Sequence, residues 1–97
     1  MIARLTNMRF PPDKLEEILR NAGGPDGVVS FVQRSPGSKG LLMLVDRAAG
    51  KSVMVTIWEN EAALRDSDSA RQELTATFAP LGLALTSAEV YEVVVNT

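Results

Sequence analysis

At 97 residues with 45% apolar content, the chain can bury one hydrophobic core, and we read residues 1–97 as a single domain. A net charge of −2 with no Lys/Arg-rich block argues against a nucleic-acid or anionic-membrane surface, and no apolar run is long enough to span a bilayer. The sequence has neither cysteine nor histidine, which excludes disulfides, thiol or Ser–His nucleophiles, and imidazole ligation of a metal or haem.

The opening "MIARLTNMRF" lacks the apolar core of a signal peptide, and the cysteine-free composition suits a cytoplasmic location. The acidic residues Glu16, Glu17, Glu59, Glu61, Asp66 and Asp68 come as surface pairs, and no metal site is expected from them. No phosphate-binding loop occurs. "NAGGPDG" is glycine-rich but lacks the spacing of a dinucleotide fingerprint, so it reads as a helix stop and a turn.

Residues 2–9 form a short strand-like run. "PPDKLEEILRNAGG" follows as a helix, with Pro12 in the first turn and Leu15, Ile18, Leu19 and Ala22 on one face. Gly23 and Gly24 end it, since glycine accepts the left-handed conformation at a helix C-terminus. Residues 27–34 carry β-favouring Val and Phe, yet Val28, Phe31 and Val32 sit at helical spacing between a candidate cap, Asp26, and a stop, Pro36. We read them as a second helical segment.

The most patterned stretch is "GLLMLVDRAAGKSVMVTIWE", residues 40–59, a hairpin whose loop is Arg47-Ala48-Ala49-Gly50 with Gly50 at positive φ. Facing Asp46 with Lys51 pairs Leu44 with Val53 and Leu42 with Val55. "ENEAALRDSDSARQELTATFAPLG" is then one helix capped by Asn60, with Ala70, Leu74, Phe78 and Leu81 as its buried stripe. Residues 89–96 are rich in β-branched side chains and read as the last strand. The order β-α-β-β-α-β implies an α+β, ferredoxin-like antiparallel sheet with the helices on one face.

Alternation divides the strands into two apolar sets. Val53, Val55, Ile57, Leu42 and Leu44 form the first, and Ala3 and Leu5 suit it; this is the set we assign to the helices. The second set collects Met8, Met43, Met54, Thr56 and Trp58, with Arg4 and Glu92 among them. A face of that character suits a dimer partner, a small ligand, or both. Arg4 on a central strand needs a partner, and Glu92 on the last strand is the candidate.

The segment "PGSKGLLMLVDRAAGKSVMVTIWENEAALRDS", with "MIARLT" before it and "AEVYEVVV" after it, resembles the antibiotic-biosynthesis-monooxygenase (ABM) family of dimeric α+β-barrel proteins. In that family the segment before the PG turn is helical, which is why we read 27–34 so. The resemblance implies a homodimer in which two sheets pack face to face into a barrel, placing the second set in its interior. It implies a small aromatic, quinol-like ligand and, in some relatives, oxygenation without metal or flavin. No cofactor is expected. Candidate catalytic residues are Arg4, Asn7, Trp58, Tyr91 and Glu92, with Glu92 as the base if burial raises its pKa. Met8, Met43, Met54, Thr56 and Trp58 are the candidate ligand-binding residues. The haem-degrading branch fits poorly: Asn7 could match its first-strand Asn, but no Trp lies near Ser67 and there is no His. The alternative from another class is a non-catalytic dimeric binding or structural module of the same fold.

Overall fold

The structure, a computed structural model, describes residues 1–25 and 27–97. Strands β1 (Ile2–Arg9), β2 (Ser38–Asp46), β3 (Lys51–Trp58) and β4 (Ala84–Glu92) make one antiparallel sheet in the order β2–β3–β1–β4. The helices α1 (Leu15–Ala22), α2 (Val28–Arg34), α3 (Glu61–Asp66) and α4 (Asp68–Phe78) fill the two crossovers. This is the ferredoxin-like α+β arrangement that the element order implied. No described helix is long and apolar enough to cross a membrane.

The hairpin forms in the expected register, Asp46 opposite Lys51, Leu44 opposite Val53 and Leu42 opposite Val55, with Gly50 at φ +66°. α2 also forms against its β propensity. Val28 and Val32, one turn apart, are both buried in the core, and that burial outweighs a small per-residue cost for β-branched side chains. The Ser35 hydroxyl donates to the Phe31 carbonyl (2.8 Å) and the Ser38 hydroxyl to that of Val32 (2.6 Å), closing the helix end. The expected cap at Asp26 lies outside the described residues.

Four expectations about element boundaries need correction. Pro12 opens a 3₁₀ turn, Pro12–Lys14, and α1 proper starts at Leu15. α1 does stop at Gly23, but with φ −85° rather than left-handed; Gly23 N–H bonds Leu19 O (3.2 Å) and Gly24 N–H bonds Asn21 O (3.1 Å), a tightened right-handed last turn. The segment after Asn60 is two helices. Asn60 caps α3 by accepting from Ala63 N–H (2.9 Å), but Ser67 interrupts the run, its hydroxyl donating to the Leu64 carbonyl (2.6 Å). A serine that bonds the preceding turn competes with the helix ladder. The last strand is Ala84–Glu92, not 89–96. Val93 N–H still reaches Met1 O (3.0 Å), but residues 93–97 are not in the strand despite their β-branched side chains.

The largest correction concerns which face the helices cover. Alternation sorted the residues correctly into two sets, since Arg4 pairs with Thr56, Thr6 with Met54, and Met43 also with Met54. The helices, however, lie on that second set. Leu41, Met43 and Met54 pack against Phe10, Ile18 and Phe78. The purely aliphatic set, with Leu42 and Leu44 more than half exposed, is the bare face. Phe10 carries the signal that the aliphatic pattern overrode. Two residues beyond Met8, at the mouth of the first crossover, it is buried in the helix-covered core.

Gly82 ends the last helical turn at φ +85°, and a Cβ built there would stand 2.6 Å from Pro11 Cγ. Left-handed backbone and a clash with a rigid ring act together. Gly82→Ala is therefore expected to lower stability by about 1–3 kcal/mol in urea unfolding, with an unchanged m-value.

Candidate functional site

Between the sheet and the helices lies a cavity of about 60 Å³. Its sheet side carries Met8, Met43 and Met54, and the helices contribute Phe31, Leu74 and Phe78. That volume holds a few water-sized spheres, well below the ~300–1,000 Å³ typical of sites for larger organic ligands. A ring-sized guest must therefore move side chains. Methionine, unbranched and polarisable, is suited to such repacking.

Polar groups stand at a few places in this apolar lining. Trp58 is 1% exposed, and its indole N–H donates to the Thr56 hydroxyl at 2.9 Å. The Thr6 hydroxyl lines the cavity too, is buried, and has no hydrogen-bond partner among the described residues. A buried hydroxyl without a partner is uncommon and costly.

Charge enters from β1 and α4. Arg4, on the central strand, sends its guanidinium to Asp68 Oδ1 at 2.5 Å; its side chain is 6% exposed and that of Asp68 44%. Asp68 can reach it because the interruption at Ser67 starts α4 there, and the start of a helix also favours a carboxylate. Arg71, one turn on, places Nε 3.9 Å from the same oxygen, too far for a hydrogen bond, and that Nε is buried without a partner among the described residues. Burial lowers the Arg71 pKa, the neighbouring Arg4 charge lowers it further, and Asp68 opposes both.

Of the residues singled out from sequence, Arg4, Met8, Met43, Met54, Thr56 and Trp58 all line this one cavity. They do so beneath the helices of a single chain, not in a barrel interior between two sheets. The other candidates lie elsewhere. The Asn7 amide donates to the Ser87 hydroxyl (3.0 Å), and Asn7 shares the bare face with Ala3 and Leu5. A register shift between Asn7 and Met8 occurs in the β1–β4 pairing, but β1 stays in step with β3, so its alternation is intact. Tyr91 stands on the same bare face opposite Ala3 and donates to Glu89; that hydrogen bond and the Glu89 charge raise its pKa. Glu92 is exposed opposite Ile2 and outside the cavity lining, while Arg4 sits opposite Val90. The expected Arg4–Glu92 pair is thus replaced by Arg4–Asp68.

Sequence reading missed Asp68, Arg71 and the role of Thr6. Asp68 and Arg71 look like solvated helix charges until the break at Ser67 orients α4. Thr6 was readable in principle, being two residues from Arg4 on the same face.

No protein-family model matches this chain, and no curated protein matches its sequence significantly. Solved structures do match. A monooxygenase from ActVA-Orf6 of Streptomyces coelicolor, in complex with nanaomycin D, superposes with a TM-score of 0.71 at 18% identity, covering 99% of this chain and 92% of that one. SnoaB of Streptomyces nogalater, a cofactor-independent oxygenase, gives 0.67 at 14% identity over 98% and 94%. A protein of Deinococcus radiodurans described as a candidate antibiotic biosynthesis monooxygenase gives 0.72 at 14% identity over 100% and 96%. At these identities the likeness is one of fold: the chain has the ferredoxin-like α+β fold of the antibiotic biosynthesis monooxygenase structures.

Proposed function

We propose that this chain forms a homodimer, that each copy binds a small aromatic, quinol-like molecule in its own helix-covered cavity, and that the bound molecule reacts with dioxygen without a cofactor. The observation that carries the reading is the cavity itself, largely apolar, with a buried hydroxyl and a buried guanidinium nitrogen left without a partner among the described residues. Concave, mostly apolar pockets with a few convergent polar groups are the usual form of small-molecule sites. Two structures of the same fold support the chemical class, one a cofactor-independent oxygenase and the other holding nanaomycin D. A cytoplasmic setting, which the cysteine-free sequence suits, belongs to the same proposal.

The chemistry asks little of the protein. A phenolate gives one electron to dioxygen, the radical pair recombines into a C–O bond, and the resulting peroxide is protonated. Loss of the ring C–H proton with cleavage of the O–O bond leaves a quinone carbonyl and water, so phenol plus dioxygen yields quinone plus water. The site's part is to hold the anionic oxygen and exclude bulk water. A binding module without turnover is the second reading, and one observation favours it: among the described residues, no carboxylate or imidazole lines the cavity to take the phenol proton. Oxygen-electrode assays with a panel of naphthols, anthrones and quinols separate the two. Turnover predicts uptake of one dioxygen per ring oxidised; saturable binding with no uptake gives the second reading.

The dimer rests on the bare face, where Leu42, Leu44, Val53, Val55 and Ile57 make an aliphatic surface backed by no helix. Val55 lies on β3 between Leu5 and Leu42, at the middle of that surface. Val55→Arg is expected to shift sedimentation from dimer to monomer at micromolar concentration while far-ultraviolet circular dichroism stays native. A native-like dimer in the variant would place the contact elsewhere.

A further inference from the structure

We propose that Arg71, together with the Arg4–Asp68 pair, makes the cavity selective for ligands in their singly anionic form, an apolar ring system bearing one phenolate or carboxylate. The inference rests on the cavity being the ligand site and adds the charge state in which the ligand is held. Arg4 and Arg71 are the charged residues that line the cavity among those described, and Asp68 is the carboxylate that contacts them. Two guanidiniums against one carboxylate leave a single positive charge. Arg4 is committed to Asp68 at 2.5 Å, whereas Arg71 Nε, 3.9 Å from the same oxygen, has no hydrogen-bond partner among the described residues. Asp68 therefore compensates Arg71 less closely than Arg4, although about a quarter of the Arg71 side chain reaches solvent.

Guanidinium remains protonated in proteins even when burial and a like charge oppose it, so this site cannot relieve the imbalance by losing a proton. The remaining lining from α1, α2, β2, β3 and β4 is apolar or neutral. An anionic oxygen at Arg71 would restore neutrality, and Thr6, another lining residue, carries an unpartnered buried hydroxyl as a second donor among the described residues. Among the described residues no carboxylate is in the lining to repel an anion or accept its proton. The geometry thus suits binding an anion rather than generating one with a general base.

The sign of one shift separates this from ordinary hydrophobic capture. An apolar cavity raises the pKa of a bound phenol, because burial disfavours the anion, whereas a free guanidinium lowers it. The probe is 4-nitrophenol, which ionises near neutral pH and whose anion alone is yellow. Binding is followed by quenching of Trp58, the single tryptophan and a cavity residue, corrected for absorbance by the probe. Absorbance then gives the ionised fraction of the bound probe against pH.

The expected result is a bound pKa lowered by about one unit, which equals about tenfold tighter binding of the anion than of the neutral phenol. Arg71→Met, a neutral replacement of similar length and good helix propensity, is expected to reverse the shift, and Arg71→Lys to retain part of it. Wild-type protein decides even if a variant fails to fold. Saturable binding of 4-nitrophenol and of the non-ionisable 4-nitroanisole, with the bound pKa unchanged or raised, would overturn the anion selectivity and leave the cavity as a ligand site. Absence of saturable quenching by either compound would overturn both.

Discussion

The rest of the structure is organised around a charge in the middle of a central strand. Arg4 sits on β1, flanked by β3 and β4, with its side chain almost wholly out of water. A guanidinium there requires a carboxylate, because an unpaired buried charge costs several kcal/mol, on the order of 3 to 5 when one partner of a buried pair is removed. Asp68 meets that need across 64 residues of sequence. It can do so only if α4 begins at Asp68, lies over the Arg4 face of the sheet, and turns its first turn inward. The interruption at Ser67 and the choice of covered face are two parts of the same solution.

That solution divides the labour of the sheet's two faces. The covered face is not a plain aliphatic core; it mixes methionine and tryptophan with threonine hydroxyls and an ion pair, and it keeps a small void. A stable core would rather fill such a space and satisfy such a hydroxyl, since voids and unpaired polar groups both cost stability. Their persistence together is what a site for a guest molecule would require. The bare face is the opposite in character, smooth and aliphatic, a surface suited to burial by an identical face.

Much of the fold was legible because its signals are local. The β2–β3 register follows from Gly50 and the Asp46–Lys51 ends of the hairpin, whereas α2, with its β-favouring Val and Phe, is read as helix on the family resemblance, the spacing of Val28 and Val32 only allowing it. The division of strand residues into two sets is equally local, a matter of odd and even positions. Which set meets the helices is not local, and there the aliphatic run of Val53, Val55 and Ile57 misled. Burial of a polar side chain is decided by a partner far away in sequence, as Arg4 and Asp68 show. The ends of β4 were obscured for a related reason: its first half is mostly small and polar, while the β-branched run continues past the last paired residue, Glu92.

The face assignment is the claim from which the cavity, the charge cluster and the bare aliphatic surface all follow, and Trp58 tests it directly. Iodide quenching of its fluorescence would be compared in the wild-type protein, for which a dimer is proposed, and in the Val55→Arg variant designed to be monomeric. If the helices of the same chain cover Trp58, it stays shielded in both, with equal Stern–Volmer slopes and the same blue-shifted emission. A slope several-fold steeper in the monomer, with red-shifted emission, would put Trp58 on the face between subunits and contradict the account.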